Sequence, residues 1–212
     1  MGLSYSCLRS LSCLAPHLYP HHSLQGPFHS LSLWADTIQT SFEPHFWVGG
    51  PLGAEVEPHP ELVHRTGMYK DSVASGQRYP DYQLRPNLCV TLALAPDLVR
   101  PDRAWAALRV VEEVLVGPLG LATLDPQDWA YRGEYDNSNA GQDPGVAHGA
   151  NYHQGPEWLW PVGYYCRALL AVAARLGEGE RREAARRVGE VAARLYTHLS
   201  TSAWLGQSVP PV

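Results

Sequence analysis

Residues 148–165 concentrate two Trp, three Tyr, two His, one Asn, one Gln and one Glu within eighteen positions. Gly155-Pro156 marks a turn in the middle of this stretch, and an apolar run begins at Leu159. Flat rings such as Tyr152, Trp158 and Trp160 can cover the apolar C–H faces of a sugar. Asn151, His153, Gln154 and Glu157 offer planar, directional hydrogen bonds to ring hydroxyls. The bland alternative makes Trp158, Trp160 and Tyr164 core aromatics at the start of a helix. It does not account for the polar groups that come with them, because burying those without partners is costly.

A second polar–aromatic stretch lies upstream. It holds Tyr69, Lys70, Asp71 and Ser72, then Asp81, Tyr82, Gln83, Arg85 and Asn87. Asp81 and Arg85 could equally form a plain structural ion pair. Between the two stretches, residues 117–157 read as one long connection carrying Asp125, Trp129, Tyr131, Tyr135, Asp136, Asn137 and His148. Connections that long in a compact domain are usually functional or disordered. The carboxylates available for acid–base work are Asp71, Asp81, Asp125, Asp136 and Glu157. Of these, Glu157 has in Trp158 the apolar neighbour that suits a general acid, and it could also serve as a hydroxyl-binding group.

The elements that would position these groups read as helices. Trp34, Ile38 and Phe42 fall four apart, and Pro44 is expected to end that helix. Pro86 opens an inner helix over 87–95 that is apolar nearly all round. Residues 101–116 place Ala104, Leu108, Val111 and Leu115 on one face, with Asp102 expected as the cap and Gly117 closing the end. Residues 159–176 repeat the apolar pattern, tolerating Pro161 early on. Residues 180–199 repeat the amphipathic one, with Ala184, Val188, Val191, Leu195 and Leu199 aligned. No segment alternates with a period of two strongly enough to suggest a sheet. The expectation is an all-α fold of stacked hairpins, in which inner helices line a centre and outer ones face water. Both polar–aromatic stretches precede inner helices, so they should meet at one end, in a cleft built from 69–87 and 125–165. Residues 1–32 show no steady period and receive no structural assignment.

Composition narrows the partners. A net charge of −5 and a pI near 6.0 leave nucleic acid an unsuitable ligand, and the pairs Arg181-Arg182 and Arg186-Arg187 fit a solvated helix face. Cys7, Cys13, Cys89 and Cys166 have no metal-ligand spacing and no disulfide pattern. No metal and no cofactor is therefore expected, and a reducing, cytoplasmic setting is favoured. The chain has no run of eighteen apolar residues, so no membrane span is expected.

Four motifs in order carry a resemblance: 67–72, 81–87, 117–126 and above all 151–161, from Asn151 to Pro161. Together they resemble the C-terminal glucosidase region of the eukaryotic glycogen-debranching family, over roughly residues 33–204. That family joins a 4-α-glucanotransferase to an amylo-α-1,6-glucosidase built as an (α/α)6 toroid. The resemblance implies inverting hydrolysis of α-1,6-linked branch glucose in glycogen, by two carboxyls about 6.5–9.5 Å apart. It also implies that the transferase part, the earlier toroid helices and the Gly-Leu-Pro-Glu-type segment after Trp204 lie outside this chain. The expectations are an incomplete toroid over 33–204, an unrelated tail at 205–212, little or no turnover by the isolated chain, and poor stability without further helices. The alternative is a non-catalytic glucan-binding helical module.

Overall fold

The computed structural model describes residues 2–18, 27–49, 57–136, 138, 140–143 and 145–205. Six helices occupy most of that length: α1 (Gly2–Leu18), α2 (Pro27–Phe46), α3 (Asn87–Leu94), α4 (Pro101–Val114), α5 (Trp160–Ala173) and α6 (Glu178–Leu205). Four strands of two residues each make two small antiparallel ladders. In one, β1 (Trp47–Val48) pairs with β2 (Met68–Tyr69), with Trp47 opposite Tyr69. In the other, β3 (Leu121–Ala122) pairs with β4 (Glu157–Trp158), with Leu121 opposite Trp158. The fold is all-α, and the ladders only pin loops at their ends, which is why no period-two pattern announces them.

The buried faces of the helices follow the sequence pattern. α3 and α5 pack against each other, burying Leu88, Cys89 and Leu92 on one and Val162, Tyr165, Leu169 and Val172 on the other. α4 lies against α5 and buries Ala104, Ala107, Leu108 and Val111, the i, i+3, i+4, i+7 stripe of an amphipathic helix. α6 packs on α5 through Ala184 and Val191, and Arg187 ties it to α4 by pairing with Glu112, while Glu183 one turn back in α6 holds the same guanidinium. The aligned face of α6 leaves the core towards its end: Tyr196 and Leu199 are exposed. One side of α5, carrying Trp160, Tyr164 and Leu170, is exposed as well.

Three local expectations are corrected. Residues 1–32, given no structure from sequence, are helical over 2–18 and again from Pro27. Tyr5 is buried there, and its hydroxyl donates to Asp97 Oδ2 at 3.0 Å. Gly2 lies so close to α3 that a Cβ would sit 2.7 Å from the Thr91 methyl. Pro44 does not end α2, which continues to Phe46. So close to the C-terminal end the missing N–H removes a single helical bond. The stacked rings of Phe42 and Phe46, 4.4 Å apart, hold the last turn against the core. Asp102 is not a cap either: extended Arg100 precedes Pro101, and Asp102 sits in the first turn, paired with Arg100 at 2.8 Å. There its charge faces the positive end of the helix dipole. Most of the proposed tail, 206–212, and residues 50–56 of the Pro/Gly-rich segment lie outside the described residues.

The burial pattern yields a stability contrast. Leu169→Ala should lower the unfolding free energy by about 3 kcal/mol through lost burial and a cavity. Its exposed neighbour Leu170→Ala should stay within about 0.5 kcal/mol of the parent. Urea titration of both checks this; equal effects would show that the α5 faces are assigned wrongly.

Candidate functional site

The long connection is folded back on itself by short-range bonds. Pairing of β3 with β4 brings its two ends together. Thr123 extends that pairing: its backbone N–H and its hydroxyl donate to Pro156 O, and its hydroxyl accepts from Gly155 N at 2.9 Å. Gly155 needs to be glycine at this approach. Its φ is +150°, and a Cβ would meet the Arg132 carbonyl at 2.8 Å. The upstream stretch docks onto the same place through Asp125 N–H, which donates to Leu84 O at 3.1 Å.

Arg85 then joins the two stretches. Its guanidinium donates to Gln83 Oε1 twice, to Thr123 O at 3.1 Å, to the His153 carbonyl and to Gln154 Oε1 at 2.7 Å. The two segments touch through the arginine fork, but the single cleft expected from 69–87 and 125–165 is not what forms: no residue of 125–165 lines the cavity beside it. Asp81 is not its partner. The Asp81 carboxylate takes the Ser72 hydroxyl and the Ser75 N–H, at 2.5 and 3.2 Å. Burial pushes Asp81 up, but those hydrogen bonds outweigh it and hold the group below the ordinary carboxylate value.

Beside Arg85 lies a cavity of about 270 Å³, to which Tyr69, Lys70, Asp71, Gln83, Arg85 and Asn87 all contribute. That is the small end of ligand pockets. Asp71 Oδ1 accepts from Asn87 Nδ2 at 2.9 Å, and Oδ2 is 3.9 Å from Arg85 Nε. Burial raises the Asp71 pKa despite both partners. Among the described residues, Asp71 is the one carboxylate lining this cavity. Gln83 is buried, with Oε1 committed to Arg85 and Nε2 without a partner among the described residues. Such an orphan donor costs roughly 1–3 kcal/mol unless something occupies it. Tyr69 is mainly core: its hydroxyl donates to Glu43 Oε1 at 2.6 Å, and burial drives its pKa up. Lys70 Nζ pairs with Glu57 at 2.6 Å and lies over the Tyr82 ring.

The downstream aromatics form a separate wall. Tyr152 stacks on Trp158 with centroids 5.1 Å apart and planes 19° apart, and Tyr135 meets both edge-on. Trp158 Nε1 donates to Tyr152 O. Asn151 is buried and donates to the carbonyls of Arg132 and Glu134, so it holds the approach to Tyr135. Trp160 is half exposed, edge-on to Tyr164. Asp136 takes the Ser138 N–H and hydroxyl in a local turn. Asn137 lies outside the described residues. Glu157 is exposed and lines no part of the Arg85 cavity. Its Oε2 accepts the N–H groups of Leu119 and Gly120, at 3.1 and 3.0 Å, and so fixes the 117–120 turn against β4.

Asp125 is wholly buried and has structural partners: Arg65 Nε at 2.6 Å, Gln127 N–H at 2.9 Å and His64 Nε2 at 3.6 Å. Burial opposes its charge, yet these partners carry its pKa well below the carboxylate range. Sequence reasoning missed Glu43 and Glu57, each of which gathers donors from distant segments. Glutamates scattered in a helix end and a loop carry no spacing signal. No helix among the described residues is long and apolar enough to cross a membrane.

Two polar–aromatic stretches thus touch beside one cavity on an all-α scaffold. A family model described as amylo-alpha-1,6-glucosidase matches residues 1–210, and the chain belongs to that family. Among curated relatives, the glycogen debranching enzyme of Saccharomyces cerevisiae is 42% identical over 139 residues, which is 64% of this chain and 9% of the relative. The chain thus spans about a tenth of the length of that relative.

The Asp125 cluster sets a pH dependence of stability. The depressed Asp125 contributes stability above its unfolded value of 3.8, lost as pH falls through the folded one. His64, raised by the nearby Asp125 carboxylate, contributes below its unfolded value of 6.5, and that part is lost as pH rises through the folded one. Asp125→Asn should cost about 3 kcal/mol at pH 6 and flatten both limbs. Denaturant melts across pH 3–9, a range of about six units bracketing both ordinary values, test this. An unchanged pH profile would remove the pair from the account.

Proposed function

We propose that this chain forms part of an amylo-α-1,6-glucosidase that hydrolyses the α-1,6-linked glucose at glycogen branches in the cytoplasm, with branched glucan as its ligand. One observation carries the reading. In a chain of this family, Arg85 draws together two polar–aromatic stretches 68 and 69 residues apart, beside a cavity holding a partly buried carboxyl and an orphan amide donor. Asp71, Asn87 and Gln83 offer hydrogen bonds to hydroxyls, and the Tyr152–Trp158 stack offers an aromatic face to a glucose ring. The pairing of inner α3 and α5 with outer α4 and α6 fits a sector of an (α/α)6 toroid. In a closed ring, the exposed Trp160, Tyr164 and Leu170 would meet further helices.

Inverting hydrolysis needs two carboxyls about 6.5–9.5 Å apart. The cavity is lined by Asp71 without a second carboxylate from the described residues, so binding is the part of the work its own side chains do. Glu157 serves in this reading as a positioning residue for the 117–120 turn, and Asp125 as an anchor of the loop.

Replacing the matching 139-residue segment of the yeast relative with that of this chain tests the proposal. Glucose release from a branched limit dextrin should persist in the chimera and fall by about 100-fold with Arg85→Ala, because the two walls lose their alignment. The 212-residue chain alone should bind branched glucan and release little glucose. A chimera indifferent to Arg85→Ala would refute the assignment.

A further inference from the structure

We propose that Trp129 and Tyr79 form a second glucan-binding site, separate from the Arg85 cluster, which grips glucose units of an α-glucan chain by ring stacking. Trp129 is 70% exposed, the most exposed tryptophan among the described side chains. Its ring lies 4.9 Å from that of Tyr79 at 55°, so the two planes form an open V rather than a closed stack. Both rings line a depression of about 280 Å³, together with Glu61, Leu62, His64, Gln127 and Asp128.

An exposed Trp held in place needs a physical reason, since leaving that much apolar surface in water is unfavourable. The loop that presents it is not loosely placed. Asp125 is clamped by Arg65, and Gln127 Oε1 accepts from Arg65 Nη2 at 3.1 Å. Asp128 is buried, and its Oδ1 takes the Ala130 N–H at 2.8 Å. The indole therefore stands between two anchored residues, and little ordering remains to be done when a ligand arrives.

The chemistry of the depression selects the occupant. Two aromatic faces suit the C–H faces of pyranose rings, and the planar amide, carboxylate and imidazole that also line it suit hydroxyls. Its volume falls near the lower limit of small-ligand pockets, whereas a stable protein interface needs roughly 1,200 Å² or more of buried surface. None of the Arg85-cavity residues lines it. The choice of glucan rests on the branched-glucan reading above. A second grip would hold the polymer while the branch is presented elsewhere, raising the effective concentration of branch points.

The full chain, titrated with maltoheptaose by tryptophan fluorescence and run in native gels containing glycogen, tests this. Trp129→Ala should weaken maltoheptaose binding about tenfold, and Trp129→Tyr should keep it within about threefold, because an aromatic face remains. The position is exposed, so the far-UV spectrum should not change. Arg85→Ala should leave the Trp129-dependent quenching in place. If Trp129→Ala binds like the parent chain, the occupant is not glucan and the proposal falls, while glucose release by the chimera still stands on its own result. If the parent chain itself shows no binding, the proposal falls too. Trp129-dependent binding together with a chimera indifferent to Arg85→Ala would keep this site and overturn the other.

Discussion

The site depends on one guanidinium. Arg85 presents a rigid planar fork with donors in fixed directions, and here they reach four different residues. Two of these lie in the 153–154 turn, one in the Thr123 strand extension, and one in its own segment. A lysine could not do this, having a single point charge on a flexible stem. Three acceptors are neutral backbone or amide oxygens of long-range partners, and the nearest carboxylate, Asp71, stands 3.9 Å away. The arginine is thus oriented chiefly by neutral oxygens. Its charge remains free to act on whatever enters the adjoining cavity.

How much of this was legible depends on the range of each interaction. Helix identity was legible because it is local: α3 is apolar nearly all round, α5 carries a long apolar run, and α4 shows a clean stripe. That the two polar–aromatic stretches converge also followed, since each precedes an inner helix. What could not be read was which groups would be consumed in holding the loops. Asp125 looks like any other loop carboxylate until Arg65, sixty residues upstream, is found against it. Tyr69 reads as a binding aromatic until Glu43 and the stacked Phe42 and Phe46 enclose it. Glu157 sits in the most telling motif of the chain, yet its side chain turns to the backbone of 119–120.

The N-terminal segment shows the opposite limit. Its Ser, His and Pro content gives weak propensity and no stripe, and propensity is easily overridden by tertiary context. α1 lies against α2 and α3, with Tyr5 bonded to Asp97 and Gly2 against Thr91. Those contacts involve a hydroxyl, a carboxylate and an absent side chain, none of which registers in a hydrophobic pattern. Pro44 is the same lesson at smaller scale, where aromatic stacking outlasts one missing hydrogen bond.

The loops therefore divide their polar residues into two kinds of work. Asp81, Asp125, Glu43 and Glu157 are spent on backbone, hydroxyl and arginine donors, and the loops keep one shape because of them. Asp71 and Gln83 are also withdrawn from solvent but less fully matched, one with its charge disfavoured by burial and the other with an idle donor. An unmatched polar group beneath a rigid surface is unfavourable in the free protein and becomes favourable when a hydroxyl arrives. A neutral polyol can satisfy a reluctant carboxyl and an amide donor together without bringing a charge into the cavity. The proposed fit to a sugar rests on what the fold has left incomplete, while the groups it has completed keep that incompleteness in register.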